Sequence, residues 1–196
     1  GIKRQRVNTQ KLDAMIGMCE TTICRRSVLL NYFNDPYQAP CLNCDVCNST
    51  PIKKINATEI AIKALHCVHE TKQKFDIEYM IQVLTGYGTG IIQGNDHHNI
   101  KSFNVGSDIS EDKWRIVFRQ LIAGGMLKMK MDGTSKIELT AKALPIIKGE
   151  EEVWLRGDIT PSKPKSVPKK KAKAKKTRKK KSVSVTPQTA GEEEYN

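Results

Sequence analysis

Four cysteines stand at a spacing that suits a metal ion. Cys24 is followed by Cys41, Cys44 and Cys47, at intervals of 17, 3 and 3 residues. Thiolates are soft ligands, and four of them about 2.3 Å from Zn2+ complete the tetrahedron of a structural site. Cys41, Cys44 and Cys47 share one short loop, where two-residue gaps let the sulfurs converge. The fourth ligand must come from a distant segment. Cys24 is favoured, because residues 25–34 read as a helix able to hold it. Cys19 is the competitor, and it follows the apolar series Leu12, Met15 and Ile16, so a packing role also suits it. Cys67 sits in another apolar helical series and reads as core. The rival use of the cysteines is disulfides. The first residues are polar and basic without a signal-peptide pattern, and no stretch is long and apolar enough to span a membrane. A reducing compartment is therefore expected, and it favours metal binding. Arg25 and Arg26, beside the first ligand, either offset the roughly −2 charge of a four-thiolate zinc site or lie on a solvated helix face.

Other chemistry is sparse. The sequence contains no Gly-x-x-x-x-Gly-Lys-Ser/Thr phosphate loop and no Asp-Glu-x-His box, so no ATPase site and no catalytic residue is expected among these residues. His97 and His98 have only Asp96 beside them, which is poor support for a second metal or a catalytic base. Charge is more informative. The net charge is +12, but residues 161–196 hold 12 Lys/Arg and 3 Asp/Glu, a net of +9, leaving +3 for the rest. That Lys-rich tail has no aromatic residue before Tyr195 and cannot bury enough apolar area to order itself, so residues 157–196 are expected to be disordered. Its functional reading is non-specific polyanion binding, with a nuclear-localisation role if the source is eukaryotic; the plainer reading is a solubilising tail.

The elements that must position these residues follow from periodicity. Residues 9–22 read as a helix with Leu12, Met15, Ile16 and Cys19 on one face, and residues 23–34 as a second presenting Val28, Leu29, Tyr32 and Phe33. Together they predict a helical hairpin, residues 1–50, closed by the metal. After a connector over residues 51–55, Asn56 and Glu59 resemble a capping box for a helix running to about His69. Asp76 caps a second helix ended by Gly86, and Ser110 a third, with Trp114, Val117, Phe118, Leu121 and Ile122 inward. Residues 86–109 form a long connection with a short helical piece near 89–93. An alternating stretch to Met131, the turn Asp132-Gly133 and a return over residues 136–139 predict a two-stranded wing. A closing helix over residues 140–148 is disturbed by Pro145. Three helices and a wing predict a winged-helix domain over residues 51–156. The fold class expected is mainly α: a zinc-stapled helical hairpin, a winged helix with a two-stranded wing, then a disordered basic tail. In such folds the third helix or the wing meets DNA. The candidate contacts are Lys113, Arg115 and Arg119 on the helix and Lys128, Lys130 and Lys136 on the wing. The plain alternatives are an Arg115–Glu111 ion pair and a solvated wing edge.

Cys24-Arg25-Arg26, Leu29-Leu30-Asn31-Tyr32-Phe33 and Cys41-x-Asn43-Cys44-Asp45-x-Cys47 together resemble the zinc-binding element of the RecQ family of DNA helicases. Trp114-Arg115-x-Val117-Phe118-Arg119-Gln120-Leu121-Ile122 with Gly125-x-Leu127 resembles that family's winged-helix (RQC) domain, as does Phe103-Asn104-Val105-Gly106 against a usual Phe-Gly-Ile-Gly. Asn34-Asp35 stands where the family has Gly-Glu. The resemblance covers about residues 5–156. It implies an accessory region of a 3′-to-5′ DNA helicase acting in DNA repair, recombination and replication, docking duplex or forked DNA for motor domains in cis. Zinc would be its structural cofactor, and ATP and Mg would belong only to the motor. His97 aligns with a family histidine, implying a loop hydrogen bond or phosphate contact. No aromatic stands at the wing tip, so duplex docking without direct strand separation is expected. The location implied is the cytoplasm or nucleoid in a bacterium and the nucleus in a eukaryote. Two other functions fit the residues: a free-standing zinc/winged-helix DNA-binding protein of regulatory or architectural role, and a protein-interaction module with a merely soluble tail.

Overall fold

The computed structural model describes residues 2–35, 37–49, 52–130 and 134–157. The wing turn at Asp132-Gly133 and the Lys-rich tail from residue 158 on lie outside the described residues. No described helix is long and apolar enough to cross a membrane. The chain is mainly helical. In order it runs α1 (Ile2–Glu20), α2 (Arg25–Tyr32), α3 (Asp45–Asn48), β1 (Lys54–Asn56), α4 (Thr58–Glu70), α5 (Ile77–Thr85), α6 (Gly90–Gly94), a 3-10 turn at His97–Asn99, α7 (Glu111–Ala123), β2 (Leu127–Met129), β3 (Ile137–Leu139), α8 (Ala143–Ile147) and β4 (Trp154–Arg156).

The winged helix is built around one apolar core. Leu65 and Val68 of α4, Met80, Ile81 and Leu84 of α5, and Trp114, Val117, Phe118 and Leu121 of α7 are almost wholly buried. Each such side chain contributes about 2 kcal/mol of transfer free energy. Helix starts follow local chemistry. The Asp76 carboxylate accepts the Tyr79 N–H at 3.0 Å, and Gly86, at φ 78°, ends α5 in the left-handed conformation that glycine tolerates best. Two expected caps differ. α4 begins one residue later than Asn56 implies. Asn56 closes β1 instead, and its Oδ1 still accepts the Thr58 N–H at 3.0 Å. Ser110 occupies the N-cap of α7, but its hydroxyl accepts no bond from the helix.

The wing pairs β2 with β3 antiparallel, Lys128 opposite Glu138. Sequence periodicity misses a second pair: β1 and β4 run antiparallel with Ile55 opposite Leu155, joining the two ends of the winged-helix segment. Gln120, 1% exposed on α7, accepts the Arg156 N–H on its Oε1 and ties the third helix to β4. α8 is shorter than expected. It starts at Ala143, so Pro145 falls in the first turn, where a missing N–H costs no helical bond.

α1 departs most from expectation. It extends back to Ile2, and its principal packing partner is α7. Leu12 (57%) and Met15 (64%) are exposed, as is Cys19, while Ile16, the other member of the expected apolar face, is half-buried. The face turned inward is Gln10, Asp13, Gly17 and Glu20, a polar and small stripe at helical spacing. At Gly17 a Cβ would meet the Arg119 carbonyl oxygen at 3.2 Å, so glycine lets the two helices approach closely. On α2, Val28 is buried, but Leu29, Tyr32 and Phe33 are exposed.

Candidate metal centre and nucleic-acid interface

Cys24 immediately precedes α2, Cys44 precedes α3, and Cys47 lies within α3. The Sγ atoms of Cys24, Cys41, Cys44 and Cys47 all fall within 4.8 Å of one another, with Cys41 and Cys47 4.0 Å apart. A tetrahedron of 2.3 Å Zn–S bonds has edges of about 3.8 Å, so the four thiols fit a zinc ion. All six cysteines are free. Cys19, the competing ligand, is not among the four. Cys67 is wholly buried against Met80, and burial pushes its thiol far up. His97 and His98 join no metal-binding cluster among the described residues.

The electrostatics of the cluster suit a cation. Partial burial raises the Cys44 thiol. Bonds from the backbone amides of Arg25 and Cys47 and from neighbouring thiols outweigh that effect and bring it down to about 6. Cys47 moves the other way, to about 11, through burial and its bond to Cys44. A thiol already low in pKa supplies the deprotonated ligand that zinc requires. Structural zinc is the cofactor of this element, and its contribution is to hold a loop that buries almost nothing apolar.

Arg25 braces the same loop. Its Nε and Nη2 donate to the two Asp45 carboxylate oxygens, each at 3.0 Å, and it also donates to the backbone oxygens of Thr21 and Cys19. This fork joins the end of α1 to the start of α3 across the metal site. Asp45, which directly follows the second loop cysteine, is the partner that sequence reading missed. Arg26 is exposed and lies 5.7 Å from the Tyr37 ring centre.

The cationic residues of α7 are largely engaged within the protein. Arg115 donates to both carboxylate oxygens of Glu78 at 2.8 and 2.7 Å, to Asp112 at 2.8 Å and to Glu111 at 3.5 Å. The expected Glu111 partner is present, but Glu78 on α5 is the closer one. Arg119 donates to both oxygens of Glu20 and lies 3.6 Å from Asp13. Lys113, half-buried, also interacts within the protein. On the wing, Lys130 pairs with Glu138 at 2.7 Å, whereas Lys128 and Lys136 form no ion pair among the described residues.

His97 holds the long loop to α5. Its Nδ1 is 2.7 Å from the Tyr79 hydroxyl, and its ring meets those of Tyr79 and Phe75 edge-on. Burial and nearby Lys72 lower its pKa. The Phe103–Gly106 motif has a packing basis. Asn104, at φ 62°, takes the left-handed conformation, and a Cβ on Gly106 would overlap the Trp114 ring, whose Nε1 donates to the Gly106 oxygen at 2.9 Å.

Two family models match the chain. Residues 2–48 match the RecQ zinc-binding family, and residues 51–164 match the RQC domain family. The chain belongs to the RQC family, as a RecQ carboxy-terminal region. It is 35% identical over 153 residues to the ATP-dependent DNA helicases RecQ of Pasteurella multocida and Haemophilus influenzae, covering 78% of this chain and 24% and 25% of theirs. The RecQ helicase of Bacillus subtilis is 24% identical over 152 residues, covering 77% of this chain and 25% of its own. This RecQ region thus spans about a quarter of the length of the curated relatives it matches.

Proposed function

We propose that this RecQ region docks duplex and forked DNA for an ATP-driven 3′-to-5′ helicase motor acting in cis, in DNA repair, recombination and replication. The observation that carries the reading is a four-thiol zinc element joined in one chain to an RQC winged helix. Three parts share the work: a zinc-binding subdomain over residues 1–50, a DNA-docking winged helix over 51–156, and a Lys-rich tail over 157–196 that adds sequence-independent attraction to phosphates. Cys24, Cys41, Cys44 and Cys47 hold the zinc. ATP and Mg act only in the motor, and this region contributes grip rather than catalysis. The wing carries no aromatic to wedge between bases, which favours docking over strand separation.

The motor has a candidate seat. Leu12 and Met15 on α1, and Leu29, Tyr32 and Phe33 around α2, are exposed apolar side chains on the zinc-binding subdomain. Large apolar groups left in water on a small element are the signature of an interface. The family's longer relatives supply an occupant, the remainder of a helicase chain. Reading the coding sequence upstream of Gly1 tests the cis arrangement, with an in-frame motor expected. Binding of the full chain to forked DNA, measured over a salt series, tests docking. Affinity is expected to fall steeply as salt rises, and a salt-independent or absent interaction would remove the proposal.

A further inference from the structure

We propose that Lys72, Lys74 and Lys101, on the turn between α4 and α5 and the loop before α7, form the principal phosphate-gripping strip of this region, continuous with Lys128 and Lys136 of the wing. The inference rests on the DNA-docking reading and relocates its contact face away from the arginines of α7.

The face of α7 is poorly suited to phosphate. Two guanidiniums, Arg115 and Arg119, face five carboxylates: Glu78, Glu111, Asp112, Asp13 and Glu20. An approaching phosphate meets a net negative surface there and must also displace existing charge-assisted bonds. α1 lies over the same face, with Gly17 against Arg119.

The α4–α5 turn has the opposite character. It is stitched to the wing: the Ile137 N–H donates to the Phe75 oxygen at 3.1 Å, and the Leu139 N–H to Gln73 Oε1 at 2.8 Å. The turn therefore adds a third edge beside β3. Ile137 is buried and Phe75 packs on the core. Of their neighbours, Lys74 is exposed and Lys136 is half-buried. Lys72 and Lys101 line one shallow depression with His69, Gln73 and Asn99. Its sole carboxylate, Glu70, already accepts the Ser102 N–H at 2.9 Å. Lys72, Lys74 and Lys101 form no ion pair among the described residues, so their charge is available to a ligand.

The backbone adds a separate observation. Lys72 and Gln73 are both left-handed, at φ 58° and 57°. Two consecutive non-glycine residues in this region cost about 1–2 kcal/mol each. The cost is borne in a turn whose side chain is spent on pinning it to the wing, which keeps Lys72 and Lys74 in fixed positions. Such retained strain is expected where a surface must be pre-arranged for a ligand.

The test is lysine acetylation footprinting of the full chain with and without a 20-base-pair duplex, alongside a Lys72→Glu/Lys74→Glu/Lys101→Glu variant. The three lysines are expected to be protected several-fold by duplex. The variant is expected to keep the parent melting temperature and to lower the slope of log affinity against log salt by about 2 to 3, three lost phosphate contacts at about 0.9 each. Salt-dependent binding with all three lysines unprotected and the slope unchanged overturns the strip and leaves the docking reading standing. Absence of salt-dependent duplex binding by the parent chain overturns both.

Discussion

Arg119 on α7 donates through Nε and Nη2 to the two carboxylate oxygens of Glu20, both at 2.9 Å, across 99 residues of sequence. With Asp13 3.6 Å away and Gly17 pressed on the Arg119 backbone, this fork clasps α1 to α7. The two side chains are 17% and 21% exposed, so the pair is screened less than a surface bridge. Arg119→Ala is expected to lower stability by about 2 kcal/mol, because it strands two carboxylates. A double-mutant cycle with Glu20→Gln, followed by urea unfolding, checks it; a coupling energy near zero would refute the clasp.

Gly17 permits that junction. Gly17→Ala needs a shift of a few tenths of an ångström, while Gly17→Leu must push α1 off α7. Gly17→Leu is expected to destabilise by about 2–3 kcal/mol and to increase amide exchange across α1. Hydrogen exchange read by mass spectrometry gives the answer, since a purely global loss of stability would raise exchange in the winged-helix core equally.

Removal of zinc should have a bounded effect. Between α1 and α4 little apolar area is buried, and Arg25–Asp45 is a single fork. A strong chelator is expected to melt residues 21–49 and to leave the winged helix folded, with α1 partly retained by its packing on α7. Circular dichroism with metal analysis measures this. An unchanged helical signal after proven metal loss would show that the metal is not structural.

His97 gives the fold a modest pH dependence. Its folded pKa lies below the ordinary value near 6.5, through burial and Lys72. The unfolded chain therefore binds the proton more readily, and stability rises with pH across that interval. The contribution is complete above about 6.5 and fades as pH falls towards the lower folded value. His97→Gln is expected to flatten stability against pH between about 5 and 7, and a His97 titration followed by NMR should give a midpoint below 6.5.

Gly106 is required by contact rather than by backbone conformation, since its φ is not positive. Gly106→Ala places a methyl into the Trp114 ring and disturbs the Nε1 bond to the Gly106 oxygen. A loss of about 1–3 kcal/mol is expected, with a shift in tryptophan fluorescence as its signature. Asn104→Gly, at a left-handed position, is expected to be tolerated at that position's backbone.

The metal site and the winged-helix core were legible because both are written locally. Cysteine spacing encodes a tetrahedral site, and residues such as Val117, Phe118 and Leu121 recur at the helical period on a face that has only one place to go. α1 was misread for a related reason. It carries two stripes, apolar Leu12 and Met15 and polar Gln10, Asp13, Gly17 and Glu20, and periodicity assigns the apolar one inward. Only the tertiary structure decides otherwise, because α7 offers Arg119 rather than an apolar groove, and a guanidinium is best met by carboxylates and a glycine. The same holds for Arg115: its helical neighbour Glu111 is visible in sequence, but Glu78 is not, since that pairing depends on how α5 crosses α7. Local spacing determined which residues could bind metal and form a core. Which charges remain free for a ligand was decided by long-range pairing, which no local period records.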